Sequence, residues 1–194
     1  GSNGRARFDE SLAKSIAVLP FHNLSGDDEQ EYICVGLTDE IISNLFKLAS
    51  FDEVRSLTSV IPFQDSEKSI KEIAQQLQVN YVLEGSYKRM GEDMKITAQL
   101  IEPRNDKHIW IKDYDLPYPD VPVIPGEIAL QIADHLKAFI SEDVQQSIDR
   151  RPTTKLEAYE LIRESKSQYY SHFYTATDIE LDLAMQATKL DPNY

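Results

Sequence analysis

The sequence predicts an α/β (α+β) fold, a mixed five-stranded sheet with packed helices followed by an α-helical hairpin. Three observations lead there. Two strand–helix alternations open the chain, three extended runs follow with turn residues between them, and the C-terminal part carries only helical spacing.

SIAVLPF (Ser15 to Phe21) is a short apolar, β-branched run closed by a proline, the expected first strand. From Glu31 onward, Ile33, Leu37, Ile41, Ile42, Leu45 and Leu48 recur at helical steps and form one apolar face. Two entrances to this helix stay open. Thr38 followed by acids can cap a helix that begins after Gly36, or the helix begins at Asp28 and Gly36 permits close packing within it. Asp52 to Leu57 is a candidate second strand, and Ser69 to Val79 repeats the helical spacing through Ile70, Ile73 and Leu77. Two such units in succession imply parallel pairing.

NYVLEGSYKRM, DMKITAQLIEP and KHIWIKDYD then follow, separated by turn residues at Gly91-Glu92-Asp93 and Arg104-Asn105-Asp106, as in hairpins. Alternation from Lys95 to Leu100 predicts one wet and one buried face. Leu116 to Pro125 holds four prolines and reads as a stiff linker. A helix with Ile128, Ile132, Leu136, Phe139 and Ile140 on one side comes next. Arg151-Pro152 breaks the pattern, and two helices of about Thr154 to Tyr170 and Thr177 to Leu190 close the sequence.

Composition bounds the function. The 194 residues have 41% apolar content, enough for a core, and a formal charge of −13. That charge opposes a broad nucleic-acid or anionic-membrane surface, because phosphate contacts need clustered Lys and Arg. The single cysteine, Cys34, excludes an intrachain disulfide and any multi-cysteine metal site. No window approaches ~18 consecutive apolar residues. The opening Gly-Ser reads as a tag remnant, so residues 1–14 are taken as tag or linker.

The ordered segments SIAVLPF, NLSGDDEQEY, GLTDEI, YVLEGSYKR, ITAQLI and HIW resemble the α/β domain similar to the N-terminal domain of TolB, over roughly Ser15 to Ile140. The tail from Ala158, closing on Asp191-Pro192-Asn193-Tyr194, resembles the first tetratricopeptide (TPR) unit that follows such domains in bacterial proteins. Glu180 stands where the second helix of a unit usually has a small residue, and Ala184 where it usually has an aromatic. The domains expected are therefore 15–145, TolB N-terminal-like, and 152–194, a truncated first TPR-like helix pair.

The resemblance implies a non-enzymatic regulatory or protein-interaction module. Its relatives sit beside adenylate or guanylate cyclase domains and beside winged-helix regulators. A protein or peptide partner at the TPR-like helices, homo-oligomerisation and a membrane-anchored parent, with this portion on the cytoplasmic or periplasmic side, are all compatible with it. Nucleic acid is not an expected partner of this fragment. The alternative is a small-ligand sensor using the cleft beside the strand ends, lined by the opening loop.

No catalytic, cofactor-binding or metal-binding residue is assigned. Gly26 lacks the other glycines and the Lys-Ser/Thr pair of a phosphate loop, and Asp27, Asp28 and Glu29 would repel a polyphosphate. The same acids suit a helix N-terminus. A metal would require further ligands, Asp113 and Asp115 being the nearest in chemistry. Cys34 with His22 as base, Ser25, and the scattered His108, His135 and His172 lack the surroundings of nucleophiles or ligands. Trp110 and Tyr114 alternate with Lys112 and read as packing beneath the helices, with an aromatic binding face as the alternative. Tyr169, Tyr170, Phe173 and Tyr174, near the junction of two helices, are the candidate partner-binding residues.

Overall fold

A computed structural model describes residues 13–171 and 178–194. The sheet has six strands rather than five. β1 (Ser15–Val18), β2 (His22–Asn23), β3 (Glu53–Val54), β4 (Tyr81–Met90), β5 (Asp93–Glu102) and β6 (Lys107–Pro117) lie in the order β3-β1-β4-β5-β6, with β2 also on β4. β1 pairs in parallel with β3 and β4, and β2 does so with β4, whereas β4–β5 and β5–β6 are antiparallel.

The extra strand has a local cause. Pro20 has no N–H to donate, so the first strand breaks at Leu19–Phe21 and resumes two residues long at His22. Leu19 N–H donates to the Leu83 carbonyl (2.8 Å) and Leu24 N–H to the Tyr87 carbonyl (2.7 Å), so both halves use one neighbour. Phe21 fills the gap between them over Gly85, where an added Cβ would lie 2.6 Å from the Phe21 Cζ. A side chain at residue 85 would expel that ring.

β3 is shorter than the expected Asp52 to Leu57. After Val54 the chain leaves the sheet edge, and Leu57–Val60 forms the short helix α2 beyond α1 (Glu31–Lys47). Helix α3 (Ile70–Leu77) starts at a complete capping box. Ser69 Oγ accepts from Glu72 N–H, and the Glu72 carboxylate accepts from Ser69 N–H (2.9 Å). It ends at left-handed Gln78 (φ 55°), whose successor Val79 donates back to the Ala74 carbonyl (3.0 Å). Ser69→Ala is expected to cost about 1 kcal/mol in urea unfolding, through loss of this cap.

Met94, Ile96, Ala98 and Leu100 of β5 are buried, while the opposite face carries a Lys95–Asp113 ion pair (2.8 Å) and a Thr97–Asp113 hydrogen bond (2.7 Å). The alternation from Lys95 to Leu100 is the one expected.

The proline-rich segment is not a linker. Leu116 and Pro117 finish β6, and Tyr118–Val123 is a 3₁₀ turn with Tyr118, Val121 and Pro122 buried. It runs directly into α4 (Ile124–His135), with Pro125 in the first turn, where a missing N–H is harmless. Helix α4 stops before Phe139, which is 78% exposed rather than on the apolar face. Lys137 adopts φ 50°, and Ala138 N–H returns to the Ala133 carbonyl (2.8 Å). A separate helix α5 (Glu142–Asp149) follows, unforeseen in the sequence, and seats Ile148 against Gly126. The chain ends in the expected pair, α6 (Leu156–Ser171) and α7 (Asp178–Leu190). α1 packs on β1 with its apolar face and against α4 and α6 elsewhere. No helix of the described residues is long and apolar enough to cross a membrane.

Candidate functional site

The opening loop is a helix entrance. Asn23 Oδ1 accepts from Ser25 N–H (3.0 Å), and its Nδ2 donates to the Asp27 carbonyl (2.8 Å). Gly26 takes φ 73°, and Asp27 caps a 3₁₀ turn, Asp28–Gln30, that continues into α1. Thr38 is therefore not a cap. It is buried inside α1, donating to the Cys34 carbonyl (2.8 Å) and accepting from Phe21 N–H (3.1 Å), which fastens the helix to the interrupted strand.

Gly36 serves close packing within α1. A methyl there would sit 2.9 Å from Arg163 Cγ and closer still to Cδ. The reason is a junction between two polar stripes. Gly36, Glu40, Ser43 and Lys47 recur at three- and four-residue steps along α1, and Tyr159, Arg163, Lys166 and Tyr170 do so along α6. Arg163 is 2% exposed. Its guanidinium pairs with the Glu40 carboxylate, donates to the Tyr194 hydroxyl (3.2 Å) and lies 4.7 Å from the centre of the Tyr159 ring. Tyr159 donates its hydroxyl to Glu40 (3.0 Å), and Lys166 pairs with Asp39. Burial opposes the charge on Arg163, but Tyr159 and Glu40 hold its pKa above the ordinary value. Burial likewise drives the Glu40 carboxyl up, against the pull of Arg163, Tyr159 and Lys166.

Further ties flank this pair. Tyr118 donates to Glu160 of α6 (2.7 Å) beneath the Arg89 guanidinium, which lies 3.6 Å from its ring centre. Arg151 pairs with Asp120 (3.3 Å). Thr153 donates to Asp191 (2.6 Å), so the Asp191–Tyr194 ending closes the helix pair at its base and returns Tyr194 to Arg163. The first helix of the pair is thereby held to the α/β domain by charge and hydrogen bonds beside the apolar packing of Leu156, Tyr159 and Tyr170.

Two clefts border the junction. One, about 560 Å³, is lined by Asp28, Glu29, Glu31 and Tyr32 of the opening segment and by Glu164, Ser167 and Gln168 of α6, a wall of carboxylates. Burial raises the Glu31 carboxyl above its ordinary value, and the Gln64 hydrogen bond opposes that rise. The other, about 390 Å³, lies between α1, α5, α6 and the C-terminal residues.

The remaining candidates fall elsewhere. Cys34 is 1% exposed, and burial pushes its thiol far up, which suits packing and not nucleophilic attack. His22 lies on the surface, 3.8 Å from Asp65. Ser25 Oγ accepts from Arg89 N–H (2.9 Å). Asp113 is engaged by Lys95 and Thr97 on the sheet, and among the described residues no group of three or more His, Cys, Asp and Glu is arranged to hold a metal. Trp110 packs partly buried, 6.0 Å from the His135 ring, and Tyr114 is buried. Tyr169 is exposed and meets Tyr170 edge-on at 5.5 Å, while Tyr170 packs partly buried against the core. Phe173, Tyr174 and His172 lie outside the described residues. Arg163, Glu40 and Tyr159 escaped the sequence reading; a charged residue inside the stripe Tyr159–Arg163–Lys166–Tyr170 was the available signal.

Comparison with known proteins gives three findings. The family model for the second domain of HilA/YgeH-like transcriptional regulators matches residues 12–119. A protein of Rhizobium meliloti (strain 1021) named "Putative adenylate cyclase 3" is 32% identical over 152 residues, covering 78% of this chain and 26% of that protein. The chain thus spans about a quarter of that relative's length. Among solved structures, TolB from Acinetobacter baumannii is similar with a TM-score of 0.46 and 16% identity, covering 64% of this chain and 28% of that one. The C-terminal domain of LpoB from Escherichia coli has a TM-score of 0.41 and 17% identity, covering 56% and 86%.

Proposed function

Because the chain belongs to the family of HilA/YgeH-like transcriptional regulator second domains, we propose that it is a non-enzymatic regulatory and protein-interaction module of a larger bacterial signalling protein. The output of that parent is transcriptional or a nucleotidyl cyclase, the latter suggested by the name of the rhizobial relative. The α/β domain positions, and the helix pair binds.

One observation carries this reading: α6 is anchored to α1 through a buried Arg163–Glu40 pair at a glycine notch, so the helix pair takes one orientation on the sheet domain. Helix α7 exposes Ile179, Leu181, Met185 and Leu190, and α6 exposes Tyr169. An amphipathic helix pair of TPR kind needs a neighbour for such surfaces, which a further repeat or a protein or peptide partner supplies. Tyr169, Tyr170, Phe173 and Tyr174 remain the proposed contact residues.

In the full-length protein, Tyr169→Ala and Met185→Glu are expected to weaken partner-dependent control of the output at least several-fold while leaving the unregulated output unchanged. Equal responses to the partner in wild type and both variants would remove the binding role.

A further inference from the structure

We propose that the groove between α1, α5, α6 and the C-terminal residues binds a small oxyanion, a phosphate ester or a carboxylate. This goes beyond the protein-interaction reading and does not depend on it. The groove encloses about 390 Å³, within the range of small-molecule sites. Its cations come from separate elements: Lys47 from α1, Arg150 from the end of α5 and Lys166 from α6. Neutral donors Asn44 and Asn193 stand beside them.

The sign of this surface is the reverse of the molecule's. Across a chain with a net charge of −13, the groove gathers three cationic side chains against one acidic side chain, Glu40. Glu40 is already satisfied by Arg163 and Tyr159. The existing pairs do not exhaust the donors. A lysine ammonium has three, and Lys47 spends one on Asn44 (3.0 Å) and Lys166 one on Asp39. Arg150 forms no ion pair among the described residues.

Lys47 and Arg150 at helix C-termini also oppose the negative dipole ends. Lys166, in the body of α6, has no such role. The strongly negative remainder of the protein disfavours a large polyanion, so the ligand is compact. Because the groove includes residues of both α1 and α6, its occupant bridges the sheet domain and the helix pair.

The test is thermal unfolding of the whole chain titrated with inorganic phosphate, AMP or succinate at ionic strength held constant with sodium chloride. A saturable rise in Tm of about 2–4 °C is expected for at least one of them. Phosphate and AMP acting alone identify a phosphate ester, and succinate acting alone a carboxylate. The rise should vanish in Lys47→Ala/Arg150→Ala, whose side chains are surface groups, and persist in Lys107→Ala on β6. Amide NMR shifts confined to Gly126 and Asn193 on titration provide a second readout independent of stability. No saturable rise with any probe, or an equal rise in the double variant, overturns the proposal.

Discussion

Arg163→Ala is expected to cost about 3–5 kcal/mol in the attachment of the helix pair, because it leaves the Glu40 carboxylate buried without its cation. The loss is larger than a surface ion pair could give, since Arg163 is 2% exposed and its stem also fills the notch over Gly36. Hydrogen exchange should show the effect in α6 and α7 first, with the β4–β5–β6 meander still protected. The double variant Arg163→Met/Glu40→Gln should recover much of the loss, because a neutral pair of similar volume does not strand a charge. Failure of that recovery would mean that the arginine acts through shape and not charge.

Gly36→Ala is expected to undock α6 while strengthening α1. Alanine favours a helix interior over glycine by about 1 kcal/mol, so α1 by itself gains. The added methyl, however, overlaps Arg163 Cδ and Cγ, which lie in the middle of the side chain and cannot swing aside without losing Glu40. Overpacking of this kind costs about 1–3 kcal/mol, so the junction loses more than the helix gains. Exchange protection should rise or hold in α1 and fall in α6. A uniform rise in both would show that the notch tolerates a side chain.

The sheet was largely readable because its signals are local. Alternation from Lys95 to Leu100 and the turn residues Gly91 and Asp106, both at positive φ, mark strands within a few residues of one another. β2 was missed because two residues carry no period, and its existence depends on Gly85, more than sixty positions away, making room for Phe21. The prolines from Pro117 to Pro125 suggested a linker because the residue type removes a donor wherever it stands. In a 3₁₀ turn and a helix's first turn that loss is harmless, and only burial of Tyr118 and Val121 distinguishes the cases.

The junction was hidden for a different reason. Arg163 and Glu40 are 123 positions apart, and neither stripe is apolar enough to announce an interface. What the sequence did contain was the ambiguity at Gly36. Of its two readings, a helix start and a close-packing position, the structure takes the second, and the partner proves to be a charged side chain instead of a second glycine or alanine.

The central claim is that the sheet domain holds the helix pair in one orientation. Its most direct test is a pulsed-EPR distance between spin labels at Lys107→Cys on β6 and Gln186→Cys on α7, with the buried Cys34 left in place. A single narrow distance distribution is expected with the junction intact, broadening in the Arg163→Ala background. A broad distribution with the junction intact, or a narrow one unchanged by Arg163→Ala, would contradict the account.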